Sequence, residues 1–144
     1  MKKIIRILAV AIACMTLQTS VDAQCKTFIK NVCKPKLDPY IYNGQMNSAV
    51  LNQGDIAELM LTFYSNQDYR IVVCADEFDD VQFRLVDLTG KELYSNTNHG
   101  NADHWDFSTN STQLLTVVVS IPENKTSEDT KSGCVSILVG FKEK

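Results

Sequence analysis

The chain carries only two histidines in 144 residues. It also lacks the patterns that announce the commonest enzyme chemistries. There is no G-x-S-x-G elbow, P-loop or dinucleotide fingerprint, so nothing in sequence supports a hydrolase, nucleotide-binding or hydride-transfer reading. Basic residues are scarce, with 14 Lys and Arg against 17 Asp and Glu for a net charge of −3. The one basic series, Lys26, Lys30, Lys34 and Lys36, is loose. That balance argues against nucleic acid or an anionic membrane surface as partner. The longest apolar run, residues 7–17, falls short of the ~20 residues that a spanning helix needs. No helical amphipathic stripe, internal repeat or low-complexity tract stands out.

What is present begins with an export pattern. Lys2, Lys3 and Arg6 precede the apolar run, and Val21-Asp22-Ala23 ends it on a small residue. This predicts a signal peptide over residues 1–23, cut before Gln24, and a secreted or periplasmic product. A competing reading is lipid attachment at Cys14, which follows the small residues Ala11-Ile12-Ala13 and would tether the domain. Loss of residues 1–23 takes the net charge to about −5 and leaves one domain's length of chain.

Cys25, Cys33, Cys74 and Cys134 are four thiols in a small exported domain, a pattern of disulfides. Sequence permits three connectivities. The favoured one is Cys25–Cys33 with Cys74–Cys134, contributing about 2.6 and 4.3 kcal/mol in the chain-entropy model. Zinc is disfavoured, because the cysteines are isolated and neither histidine sits beside one.

Strand periodicity governs the rest. Ala57, Leu59, Leu61 and Phe63 alternate with Glu58 and Thr62. Tyr69, Ile71 and Val73 oppose Arg70, Val72 and Cys74. Val81, Phe83 and Leu85 repeat the pattern, and Trp105 shares a face with Phe107. Residues 114–121 are almost continuously apolar, as in a strand covered on both faces, and Val135, Ile137, Val139 and Phe141 close the series. Seven to eight short strands separated by Gly, Asn, Asp and Ser turns predict an all-β fold, an antiparallel β-sandwich or jelly roll. The expected organisation is an N-terminal extension, 24–45, bearing Cys25 and Cys33, and a sandwich domain, 46–144. Residues 122–133 read as a polar loop.

Gly54-Asp55 before Leu59-x-Leu61-x-Phe63 resembles the opening of the bacterial pre-peptidase C-terminal type of β-sandwich. Residues 80–87 followed by Thr89-Gly90-Lys91 do so too, as do the closing strands at Leu114-x-Thr116-Val117-x-Val119 and Val135-x-Ile137-x-Val139. The likeness spans residues 47–142. It implies a non-catalytic accessory domain that binds polymer, protein or calcium.

Few residues single themselves out for chemistry. Asp76, Glu77, Asp79 and Asp80 follow a strand and form an oxygen-rich loop that would suit calcium, the one ion the pattern invites; otherwise they are a solvated turn that discourages edge aggregation. His99 and His104, near Asp103 and Asp106, read as surface histidines or as the kernel of a small hydrolase. Tyr40 and Tyr42 are expected side by side on one strand face. Tyr94, opposite Leu93, is expected to be exposed. These three tyrosines are the candidate binding surface, while Trp105 reads as core. Asn110-Ser111-Thr112 and Asn124-Lys125-Thr126 match the N-glycosylation pattern, but the export signal is of bacterial type. The expected function is a secreted, non-catalytic module for a protein or glycan partner. The alternative is a structural envelope component, calcium-stabilised or not.

Overall fold

The computed structural model describes residues 20–123 and 130–143. The expected export segment up to residue 19, Cys14 included, and residues 124–129 of the polar loop lie outside the described residues. Among the described residues no helix is long and apolar enough to cross a membrane.

The alternating segments build two antiparallel sheets packed face to face. One contains β1 (Ile41–Tyr42), β2 (Asn47–Asn52), β4 (Gln67–Ala75), β7 (His104–Thr109) and β9 (Ser132–Glu143). The other runs in the order β3 (Ile56–Phe63), β8 (Gln113–Ser120), β5 (Gln82–Val86), β6 (Glu92–Ser95). β9 is the hub of the first sheet. It pairs with β4 along one side and with β1 and β2, end to end, along the other. Between β1 and β2, Gly44 takes a left-handed φ of 84° and Gln45 N–H donates to Asn43 Oδ1 at 3.0 Å. Four residues, 43–46, here span only two of β9, and Asn43 N–H donates to the Val139 carbonyl at 3.0 Å before the ladder resumes at Asn47. The sandwich is thus confirmed, with nine strands among the described residues where seven or eight were expected. The strand missed was β2.

Period two puts Phe63, Ile71, Val73, Phe83, Leu85, Leu115, Val117, Val119 and Val139 between the sheets, each at most 3% exposed. Fully burying an aliphatic or Phe side chain contributes about 1.5–3 kcal/mol, so this layer dominates stability. β8 is a central strand, paired with β3 and β5, but only its inward face is fully buried; Leu114, Thr116 and Ser120 on the outward face are half-buried.

The outer face of the first sheet is covered by helical structure, which was not expected. Helix α1 (Ser20–Phe28) continues as a π-turn over Ile29–Cys33 and a 3₁₀ turn over Lys34–Leu37. Pro35 sits at the start of that last turn, where its missing N–H costs nothing. Cys25, Ile29, Cys33 and Leu37 recur every four residues and press onto Val72, Cys74, Cys134 and Leu138, forming a second, smaller core.

The disulfide joins Cys25 to Cys134, with Cα atoms 5.6 Å apart. This corrects the favoured pairing of Cys25 with Cys33 and Cys74 with Cys134. Cys25 and Cys33 are eight residues apart on a helical path, about 12 Å at 1.5 Å per residue. Cys74 stands opposite Ser136, so Cys134 is only its diagonal neighbour, ~7–8 Å away and past the usual reach of ~4.4–6.8 Å. Cys33 and Cys74 are buried free thiols.

Candidate functional site

The two sides of the sandwich differ. On the β6/β7 side, Tyr94, Trp105 and Phe107 stack in a row with centroids 4.6 and 4.5 Å apart. Phe63 and Tyr69 continue the row inward. Asn96, 1% exposed, locks the corner: its Oδ1 accepts from Phe83 N–H at 2.9 Å and its Nδ2 donates to the Val81 and Ala102 carbonyls. β6 and β7 are edge strands too, but this row of rings fills the space between them and closes the side.

The opposite side is open. β2 pairs only with β9 and β3 only with β8, so two edge strands face each other with one unpaired row of backbone groups on each. Between them lies a furrow. One end, of about 530 Å³, is lined by Asn43, Gln45, Met60, Tyr64, Tyr69 and Phe141 among others. The other, of about 340 Å³, is lined by Met46, Asn47, Leu51, Leu59 and Ile137 among others. Met46, Met60 and Tyr64 at its mouth are 48, 59 and 62% exposed. Val50 and Ile56, also exposed, flank it on β2 and β3. Buried Asn47 Nδ2 has no hydrogen-bond partner among the described residues. Sequence reasoning gave Met46, Asn47, Val50 and Met60 no role, although the outward Ile56 and Met60 in an otherwise alternating strand were the available signal.

The sequence candidates fall elsewhere. Tyr94 is 6% exposed, packed between Phe83, Trp105 and His99, and is not the surface residue expected. It pairs with inward-facing Leu85, so it takes the core side and leaves Leu93 39% exposed. Tyr40 and Tyr42 lie at the outer face of the first sheet, each under its own cations. The Tyr40 ring lies beneath Arg70 (4.8 Å) and Lys142 (4.5 Å), and Lys34 sits over Tyr42 (5.2 Å). Burial pushes both hydroxyls up in pKa.

Arg70 is fully committed. It grips Asp106 through two 2.7 Å bonds and donates Nη1 to the carbonyls of Lys36 and Asp38. That guanidinium holds the Asp106 carboxyl below its ordinary range. Asp103 accepts from Lys36 Nζ at 2.6 Å and binds His104 Nδ1 at 2.9 Å. Burial pulls its pKa up, but these two bonds outweigh that and hold it low. His99 is turned away from this group, stacked on Tyr94 with Nδ1 on the Ser95 carbonyl. The two histidines therefore serve separate local structures.

The acidic loop is divided. Asp76 Oδ1 accepts from Cys134 N–H at 2.7 Å, whereas Glu77, Asp79 and Asp80 line a shallow hollow with Glu123 and Lys131. No three His, Cys, Asp or Glu side chains among the described residues are grouped to hold a metal ion.

A two-sheet antiparallel sandwich, closed along one side and open along the other, is the class of architecture these features define. Among solved structures, the chain is similar to PliG of Aeromonas hydrophila, described as a periplasmic lysozyme inhibitor of g-type lysozyme. The match has a TM-score of 0.51 at 10% identity and covers 72% of this chain and 89% of that one. At that identity the likeness is one of fold. No protein-family model matches the chain, and no curated protein matches it in sequence.

Proposed function

We propose that the protein is an exported, non-catalytic β-sandwich that binds a partner protein along the furrow between β2 and β3. The observation that carries this is the coincidence of two unpaired strand edges with exposed Met60 and Tyr64 at one end of the furrow and Met46 at the other. Contiguous exposed apolar groups mark interaction surfaces. An open edge accepts an added strand through main-chain hydrogen bonds. Methionine adapts its shape to what it meets. The fold neighbour, named as an inhibitor of a lysozyme, supports the reading, since the same architecture serves there to engage another protein. The separation of His99 from His104 favours a module without catalysis.

The test pairs wild type with Met60→Asp. Binding is measured against g-type lysozyme and against proteins cross-linked to it in the native envelope, with a glycan array in parallel. The expected result is a saturable protein partner whose affinity falls at least tenfold in Met60→Asp, while the melting temperature holds. Equal binding by the two proteins, or a sugar ligand indifferent to the substitution, would overturn the proposal.

A further inference from the structure

We propose that Cys33 and Cys74 are a thiol–disulfide exchange site that closes into a second disulfide, reached by an external disulfide through a hollow beside Cys74. The geometry that makes the first bridge also makes this one. Cys25 and Cys33 lie on the same face of the helical segment, two turns apart, and both point into the small core on the sheet's outer face. The sheet offers one cysteine beneath each: Cys134 on β9 for the first and Cys74 on β4 for the second. The two remaining thiols, Cys33 and Cys74, share that small core. Cys33 is completely buried and Cys74 is 4% exposed. Cys74 nevertheless lines a hollow of about 310 Å³ together with Lys36, Asn101 and Asp103, so one of the pair has an approach from solvent and the other does not.

That asymmetry sets the order of events. The Cys74 thiolate attacks one sulfur of an external disulfide, R–S–S–R. The external S–S bond breaks, and the first RS⁻ leaves and takes up the proton lost by Cys74. Cys33 sulfur then attacks Cys74 sulfur in the mixed disulfide, expelling the second RS⁻, which takes up the proton lost by Cys33. Two protein thiols are oxidised by two electrons, and the external disulfide is reduced to two thiols. The electrostatics suit these roles. The neighbouring Cys33 thiol lowers the Cys74 pKa against the opposing pull of burial, and the Lys36 ammonium adds to the lowering. The Cys74 thiol together with burial raises that of Cys33. The attacking sulfur is therefore the one at the hollow.

Tryptic mapping decides the matter, because cleavage at Lys26, Lys30, Lys36, Arg70, Arg84, Lys131 and Lys142 leaves the four cysteines on separate peptides. Protein recovered from the export compartment is alkylated unfolded and digested without reductant. The expected map joins the 31–36 peptide to the 71–84 peptide, alongside the bridge from Cys25 to Cys134. Both peptides alkylated, and still separate after native protein is incubated with oxidised glutathione, would overturn the proposal. In Cys33→Ser the second step is blocked, so one glutathione should remain on Cys74. An unmodified Cys74 in that variant would overturn the hollow as the route. Should Cys33→Ser fail to fold, the wild-type map still decides.

Discussion

The two faces of the β9-centred sheet are held by different means. Its inner face meets the other sheet through a continuous apolar layer, in which Phe63, Ile71, Phe83 and Val117 share the load. Its outer face meets a helical segment with far less apolar area, secured at a few points. These are one disulfide, the Arg70 fork that ties the backbone of residues 36–38 to Asp106, and the close seat of Tyr40 on Gly140. In the packed layer every large side chain carries its own burial and cavity cost. On the fastened face the cost sits at a few points and differs among them, the disulfide first.

The largest effect expected from breaking this contrast is on the inner face. Phe63→Ala should cost about 3–5 kcal/mol, the range for a cavity in a packed aromatic core, read as a fall in urea midpoint. A loss near 1 kcal/mol would mean the layer collapses to fill the gap.

Next comes the main fastener. Cys25→Ser and Cys134→Ser should each cost about 2–4 kcal/mol, and by equal amounts, because each opens the same bridge. A mild Cys25→Ser beside a severe Cys134→Ser would sink that equality in chemical denaturation.

Gly140→Ala should cost about 1–3 kcal/mol, the overpacking range. Its added Cβ would lie 2.7 Å from Tyr40 Cβ and 3.1 Å from Leu37 Cδ2. Loss of helical circular dichroism before sheet signal would locate the damage on the outer face.

The smallest effect belongs to the ion pair. Asp106→Asn should cost under about 1 kcal/mol, since Asp106 is 40% exposed and solvent screens the pair. The folded pKa values of Asp103 and Asp106 lie below the unfolded value of about 3.9. Their contribution is therefore complete above that value and lost as pH falls through the folded ones. Urea midpoints measured from pH 6 to pH 2 should drop less steeply in Asp106→Asn, and an unchanged slope would count against the pair.

The inner face was legible because burial on one side writes itself as alternation, and Ala57 to Phe63 or Tyr69 to Val73 could hardly be read otherwise. The outer face was not. Cys25, Ile29, Cys33 and Leu37 do form a stripe at helical spacing, but two of its four members are cysteines and Pro35 interrupts it, so it read as a cross-linked extension. β2 was hidden by Asn47, Ser48 and Asn52, polar residues tolerated because an edge strand meets solvent along one side. Tyr94 and Leu93 were exchanged because hydropathy favoured burying the leucine. The four-residue edge strand β6, with its register shift opposite Leu85 and Val86, instead turned the larger ring inward. The furrow escaped notice because nothing in sequence reports which strands lie at an edge.

The place of β9 bears on the timetable of assembly. Of the described strands it is the last to be synthesised, yet β1, β2 and β4 all rest on it, and Cys25 must wait 109 residues for its partner. While the chain emerges from its N-terminus, β3, β5, β6 and β8 have every partner they need, and β4 can pair with β7 across the two strands between them. The rest of the first sheet has no template. A translation pause or a nonsense codon before residue 132 would therefore release one finished layer with its apolar face bare, a substrate for proteolysis and aggregation rather than a shortened version of the fold.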